Sequence, residues 1–544
     1  MSEIPSHATP TAGEENPAET PSRTKQIGLW LGLAAFVAFL AGPELSPDHP
    51  AVSRTAAVAA LMAIWWITDA IPLAATSLLP LVLFPLLGIL KGKDTAPIYI
   101  NETIFLYVGG FMIALAMERW QLHKRIALSI IRLLGGSPPR LVLSFMLASA
   151  LLSMWISNTA TAIMMLAIGL AIVAEEERRF GRERTRPLSV SLLLGIAYGS
   201  SCGGMATLVG TPPNLSFVRI YEISFPHAPD SATIGFGQWM LLGVPVMLGM
   251  LLPIWFLLTR VFFPCPRDLV LSPAAIETEY QALGPVSPAE RRVLAVFITT
   301  AILWVFREDL QLGAWSLPGW SRLLPESATG PDGKSLLDDG TVAIAMALLL
   351  FLIPSGTRQA GGGERLLTTS VFRSIPWDIV LLFGGGFALA KGFQVSGLAA
   401  YVGERFAILE GAPPLAVIAG VCGIMTFLTE LTSNAATTEM ALPILASIAT
   451  AMNIHPLMLM IPATLSASCA FMLPVATPPN AIVFGSGRIR IADMAKVGLA
   501  INLIGIAFVT ILFYTIGIWA FGIDPGAPPS WITPESPPTP PTGG

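Results

Sequence analysis

Two greasy stretches of this chain carry the same polar interruption. Residues 153–165 read SMWISNTATAIMM, and residues 431–442 read LTSNAATTEMAL. Each sets Ser, Asn and hydroxyl side chains between apolar flanks long enough to reach the middle of a bilayer. Backbone that leaves a helix at that depth survives only where it is sheltered by protein or lines water. Two such breaks therefore require a surrounding bundle, and they require it twice.

The rest of the chain supplies that bundle. It has 544 residues, 53% hydrophobic and only 12% charged, where soluble domains carry about 25% charged residues. Apolar runs near the roughly 20 residues that cross a bilayer as a helix fall at 27–42, 55–71, 73–90, 102–118, 188–209, 238–262, 292–306, 341–354, 376–392, 456–475 and 496–521. The fold class this predicts is an all-α polytopic membrane protein. About eleven crossings leave 139–175 and 413–450 as re-entrant hairpins with polar tips. The net charge of −4 lacks the basic footprint of nucleic-acid binding.

Residues 1–24, too polar for a signal peptide, predict a disordered cytoplasmic tail before a retained first span. Arg23 and Lys25 precede that span and the loop 43–53 holds no Lys or Arg, which places the N-terminus in the cytoplasm. Alternation then puts Arg119, His123, Lys124, Arg125 and the loop EEERRFGRERTR (175–186) inside, with Lys91 and Lys93 outside against the rule. The expected organisation is a first span set over 25–263, a cytoplasmic linker over 264–290 and a second set over 291–521. A disordered extracytoplasmic tail over 522–544 completes it.

The two sets are repeats. LYVGGF (106–111) matches LFGGGF (382–387) at the offset that relates Ser157-Asn158 to Ser433-Asn434, and GTPPN (210–214) is followed in order by ATPPN (476–480). Between corresponding spans the count advances by five, an odd number, so the repeats are expected to be inverted. The charges agree, since Arg132, Arg140 and the Arg-rich loop flank the first hairpin while Arg405 alone stands near the second. Inverted repeats with interrupted helices mark secondary transporters with a site near the midplane.

At each tip, and at each Pro-Pro, carbonyls lose their intrahelical donors. With hydroxyls and Asn oxygens they make a hard-oxygen nest for a small cation, while freed N–H groups at helix starts suit an anion. Neither tip region contains Lys or Arg. Because uncompensated charge at the midplane is costly, an anion carried together with sodium is the economical reading. The bland alternative is that Ser, Thr and Asn merely bond neighbouring helices and Pro-Pro is a kink; four motifs in two matched pairs weigh against it.

Other residues carry less. Cys202, Cys265, Cys422 and Cys469 lack CxxC spacing and read as small core residues. Glu439 stands where the first repeat has Ile163, and three roles are open to it: a proton or charge partner in the pathway, a residue facing a watery vestibule, or a structural partner. Asp69 and Glu430 read as acids that fix helix ends, and Trp65 and Trp66 as packing or interface aromatics. No HExxH or Ser–His arrangement points to an enzyme, and paired broken helices fit alternating access better than a channel.

WWITDAIPLAATSLLPLVLFPLLGIL (65–90), the SNT and SNA tips and the paired TPPN motifs resemble the divalent anion:sodium symporter family over about residues 25–521. The resemblance implies a homodimer with scaffold and transport domains moving as an elevator. It implies one sodium site from Ser153, Ser157, Asn158 and the carbonyl of Gly210, and a second from Thr429, Asn434 and carbonyls near Thr432 and Ala476. The substrate carboxylates would lie between Asn158-Thr159, Ser433-Asn434, Thr211-Pro212 and Thr477-Pro478. One departure is Ala435, where many members have Thr, so a hydroxyl is missing there. The reading is sodium-driven import of C4 dicarboxylates such as succinate, malate or fumarate across a bacterial inner membrane, with sodium ions co-transported. Its rivals are a dicarboxylate exchanger, or a sulfate or tricarboxylate carrier of the same fold.

Overall fold

The computed structural model describes residues 23–228, 234–265, 274–312, 315–330, 335–356, 363–406, 411–526, 528–529 and 531–532. The tail expected over 1–24 lies outside the described residues up to 22, and its last two residues already open the first helix, Arg23–Ala41. Among the described residues seven continuous helical stretches are long and apolar enough to cross a membrane, and several further apolar helices are shorter.

Two predicted spans are corrected: in 456–475 the helix ends at Ala467 and irregular backbone follows, and a second span is broken by prolines. Residues 73–90 are not a single helix but the short helices Leu73–Thr76 and Leu79–Leu86. Pro72 precedes the first, Pro80 lies in the first turn of the second and Pro85 lies inside it, each removing a backbone donor. The all-α expectation also needs an amendment: Leu310–Leu312 pairs antiparallel with Trp315–Leu317 in a small two-stranded ribbon.

The same succession of elements occurs twice. A long helix bearing the Gly-Gly-Phe motif (Glu102–Arg119, then Trp377–Ser396) leads to a shorter one (Leu122–Leu134, then Leu398–Phe406). Next come two hairpin arms: Pro138–Ser153 and Asn158–Phe180 in the first copy, Pro414–Thr429 and Asn434–Ala451 in the second. A further helix (Arg182–Gly204, then Leu457–Ala467) breaks off, and after irregular backbone a helix restarts on the Pro-Pro pair (Pro212–Ser224, then Pro478–Phe484). The outgoing arm of the first hairpin overruns its expected end at 175 through EEERRF, where Arg178 and Arg179 pair with Glu175 and Glu176 one turn back.

Two segments outside the spans carry structure of their own. The linker over 264–290 contains a helix, Ala274–Ala282, docked on Leu122–Leu134. Lys124 reaches Glu279 at 2.7 Å, Arg132 reaches Glu277 at 3.0 Å and stacks on Tyr280, and buried Arg125 meets Glu290 at 3.2 Å. Residues 266–273 lie outside the described ones. In the C-terminal tail, residues 533–544 lie outside as well, but Trp531 packs edge-on against Tyr221, Phe225 and His455. An aromatic in a Pro-rich segment found an apolar face, so the tail is not wholly free.

Most of the core is one continuous apolar cluster around both hairpins. A second cluster gathers Val52, Met62, Trp66, Phe84, Leu382, Phe393, Ala435 and Ala436. It presses the second hairpin's outgoing arm against Pro50–Thr68 and Trp377–Ser396. Asp69 ends Pro50–Thr68 in a left-handed cap and pairs with Lys25 at 2.6 Å.

Candidate functional site

Each hairpin turns on its Ser-Asn pair. Ser157 and Ser433 occupy the N-cap positions of the outgoing arms, which begin at Asn158 and Asn434; the Ser157 side chain caps its arm, whereas Ser433 makes no side-chain cap bond. The last residue of each incoming arm then reaches across the tip. The Ser153 hydroxyl donates to Asn158 Oδ1 at 2.5 Å, and the Thr429 hydroxyl donates to Asn434 Oδ1 at 2.7 Å. These are the same two positions of the repeat.

The interrupted helices match as closely. Asn214 Nδ2 donates to the carbonyls of Gly204 at 3.1 Å and Thr207 at 2.7 Å. Asn480 Nδ2 donates to those of Ala470 and Leu473, both at 3.1 Å. The Asn of each TPPN motif thus holds the irregular backbone before it in one shape. Its own Oδ1 is buried and without a donor in both copies.

The first tip and the first interruption meet at Gly204. A Cβ there would stand 2.7 Å from Asn158 Oδ1 and 3.1 Å from Thr211 Cβ, and a Cβ on Gly210 would stand 2.5 Å from the Gly204 carbonyl. Glycine at 204 is what lets tip and loop approach. Ser153, Asn158, Gly210 and Thr211 are therefore brought together. Ser157 contributes differently: its hydroxyl accepts from Ala160 N at 3.2 Å and caps the arm.

At the second tip the same Thr429 hydroxyl also lies 2.8 Å from the Ala467 carbonyl, its single proton shared between that oxygen and Asn434 Oδ1, which joins Asn434 to the broken end of Leu457–Ala467. The Thr432 hydroxyl turns to the Leu428 carbonyl at 3.0 Å and to the Thr437 hydroxyl. Ala476 lies in the loop, its N–H donating to Leu473 at 3.2 Å. Thr211 and Thr477 are buried at the starts of their helices, with Pro212 and Pro478 following. Asn158, Thr159, Ser433 and Asn434 are half-buried and Pro478 is exposed. A cavity of about 940 Å³ beside Glu102, Phe236, Arg307 and Asp339 does not include the tip residues.

Glu430 does more than end a helix. Its Oε1 accepts from Phe471 N at 2.7 Å, Met472 N at 2.8 Å and Asn502 Nδ2 at 2.7 Å, and its Oε2 accepts from Leu473 N at 3.1 Å. This buried carboxylate occupies the N–H groups that the interruption after Ala467 sets free. In the first repeat Met154 stands in its place, and there its carbonyl accepts from Thr207 at 2.5 Å.

The sequence profile of the sodium:sulfate symporter transmembrane region matches residues 23–523. The chain belongs to that symporter family. Among its relatives is a sodium-dependent dicarboxylate transporter of Staphylococcus saprophyticus, 41% identical over 509 residues and 92% of each chain. Another, of Staphylococcus aureus, is 41% identical over 479 residues and 87% of each. Two solved structures share the fold at low identity. Neisseria gonorrhoeae MtrF, of a class described as antimetabolite efflux pumps, aligns at 14% identity with a TM-score of 0.56, covering 92% of this chain and 98% of its own. The Alcanivorax borkumensis YdaH transporter aligns at 15% identity with a TM-score of 0.53, covering 93% and 100%.

For this symporter chain, the residues missed in the sequence are those that hold the tips rather than form them. Gly204, Asn502 and the clamping role of Glu430 depend on partners far along the chain. The matching roles of Asn214 and Asn480 were within reach, because both TPPN motifs end on Asn with glycine or alanine ten residues before.

Proposed function

We propose that this chain is a sodium-coupled importer of C4 dicarboxylates, succinate, malate or fumarate, in a bacterial inner membrane, and not an enzyme. The observation that carries the reading is the pairing of Ser153–Asn158 with Thr429–Asn434, each beside irregular backbone held by the Asn of a TPPN motif. Two sodium ions would be held there by oxygens of Ser153, Ser157, Asn158 and Gly210, and of Thr429, Thr432, Asn434 and Ala476. The donorless Oδ1 atoms of Asn214 and Asn480 add to this, since a buried acceptor without a donor is a cost that a nearby cation relieves. The dicarboxylate would sit between the tips, against Asn158, Thr159, Thr211, Pro212, Ser433, Asn434, Thr477 and Pro478. With no Lys or Arg in either tip, the sodium charge balances the anion.

The names of the two staphylococcal relatives support both the ion and the cargo class. The two repeats would be inverted, with eleven crossings, the N-terminus inside and the C-terminus outside. A homodimer of scaffold domains would carry two transport domains moving as elevators. The second reading, a sulfate or tricarboxylate carrier or a dicarboxylate exchanger, is favoured by the family description and by the hydroxyl missing at Ala435. An uptake competition panel of succinate, 2-oxoglutarate, citrate and sulfate, run with sodium, potassium or protons as driving ion, decides. Strong competition by succinate under sodium alone supports the proposal, and dominance by sulfate or citrate rejects it.

A further inference from the structure

Glu439 stands on the outgoing arm of the second hairpin, little more than a turn past the Ser433-Asn434 tip. It is wholly buried, which removes the watery vestibule from the roles open to it. Its Oε1 accepts from the Ser216 hydroxyl, while its Oε2 is buried and has no partner. Oε2 rests against Gly386 of Trp377–Ser396, where any Cβ would overlap it. The glycine leaves room for the acid, and the matching position of the first repeat is filled by Ile163. The acid is therefore not a requirement of the hairpin's fold.

None of the charged and titratable groups on the elements packed around it pairs with it, and most are engaged elsewhere. On Pro212–Ser224, Arg219 pairs with Glu102 at 2.6 Å and with Glu222 at 3.1 Å, and Tyr221 packs on Trp531. On Trp377–Ser396, Asp378 lies in the first turn and Lys391 donates to Gln394 at 2.6 Å. On Leu398–Phe406, the Arg405 guanidinium covers Tyr401, with Glu404 beside them. Arg54 of Pro50–Thr68 donates to the Leu87 carbonyl, Pro414–Thr429 offers Cys422, and Leu457–Ala467 has no titratable side chain. Among the described residues none of them pairs with Glu439.

An ionised carboxylate buried with one neutral donor and no cation costs several kcal/mol; the protonated acid needs no counter-charge. Ser216 lies two residues past the first TPPN motif, so the Glu439–Ser216 bond joins the second hairpin's arm to the first interrupted helix. Those are the two halves between which the anion is proposed to lie. A movement that opens or closes the anion's place on this pair of elements also exposes or buries this acid.

We infer that Glu439 is a proton-binding site of the carrier and that its proton travels with the substrate. The carboxylate takes one proton from water on the side where the two elements part, forming the Oε2–H bond, and the proton returns to water on the other side when that bond breaks. This inference rests on the sodium-coupled dicarboxylate reading.

The test is proteoliposomes of the full chain containing a pH dye, with succinate uptake driven by sodium at about pH 7.5, where carboxylic acids are almost wholly ionised. Protons entering per succinate should be about one in the wild type and near zero in Glu439→Gln, whatever the rate of each, once substrate-borne protons common to both are subtracted. Equal ratios in the two proteins, or a ratio near zero in the wild type, overturn it. Should Glu439→Gln not fold, the wild type alone decides. With equal sodium on both sides, an inward proton gradient should concentrate succinate by about threefold or more, and no accumulation overturns the inference. Absence of any sodium-driven succinate uptake would overturn both this inference and the transport reading, whereas uptake without protons overturns this one alone.

Discussion

Replacing Glu430 by Gln should disorder the second interruption while changing the side chain's shape very little. Three donors converge on Oε1, from Phe471, Met472 and Asn502, and Leu473 N–H meets Oε2. A glutamine oxygen at the first position keeps three bonds, but as neutral ones of about half the strength. Bonds to charged acceptors contribute about 1.5–3 kcal/mol and neutral ones about 0.5–1.5, so each loses about 1 kcal/mol. The Leu473 N–H would face an amide NH₂, leaving a buried donor unsatisfied at about 1–3 kcal/mol. The sum is about 4–6 kcal/mol, a large part of a typical domain's total stability. Asn502→Ala removes one donor and should cost clearly less. Thermal unfolding of the purified proteins in detergent should rank wild type above Asn502→Ala above Glu430→Gln. The half-saturating sodium concentration for transport should rise in the same order. An unfolding curve for Glu430→Gln that overlays the wild type would refute the clamp.

Three further outcomes follow from the same geometry. Asn158→Ala and Asn434→Ala each remove one tip amide, and a lost charged contact of about 1.5–3 kcal/mol should raise the half-saturating sodium concentration by about tenfold or more; near-normal sodium dependence in both rejects the assignment. Ala435→Thr should shift the succinate-to-citrate preference more than it shifts sodium dependence. Ala435 is packed in the second apolar cluster, so an overpacking cost of about 1–3 kcal/mol is expected alongside, and an unchanged selectivity profile counts against Ala435 lying at the substrate. Burial holds the imidazole of His455, in the loop before Leu457–Ala467, down at about 4. Below its ordinary value near 6.5 the unfolded or undocked residue binds more protons, so this contribution to stability is present above about pH 6.5 and is lost as pH falls toward 4. Trp531→Ala should return its titration, followed by NMR of labelled histidine, toward 6.5, and an unmoved curve refutes the docking of the tail.

What the sequence made legible was what local chemistry determines. The tips announce themselves because Ser caps helices and Asn follows, so the arms begin at Asn158 and Asn434. The interruptions announce themselves because Pro-Pro at 212–213 and 478–479 cannot continue a helix. Broken residues 73–90 were equally open to view, since Pro72, Pro80 and Pro85 are all there, but a strongly apolar run outweighed them. Glu430 was hidden because its donors sit some forty residues on and its value depends on their N–H groups being free. The docking of Ala274–Ala282 was hidden for a like reason: charge pairs with Lys124 and Arg132 exist only once Leu122–Leu134 is in place. Glu439 stood out in the sequence as an acid in a greasy arm, but its isolation was visible only with every neighbour's partner accounted for.

The two tips are proposed to couple a sodium gradient to dicarboxylate import. This coupling is tested most directly by uptake of labelled succinate into proteoliposomes of the purified chain, with sodium outside, none inside and no internal substrate. Succinate should accumulate above its external concentration, and the accumulation should collapse when sodium is equalised or replaced by potassium. Uptake that ignores the sodium gradient, or that needs a dicarboxylate already inside, would contradict it.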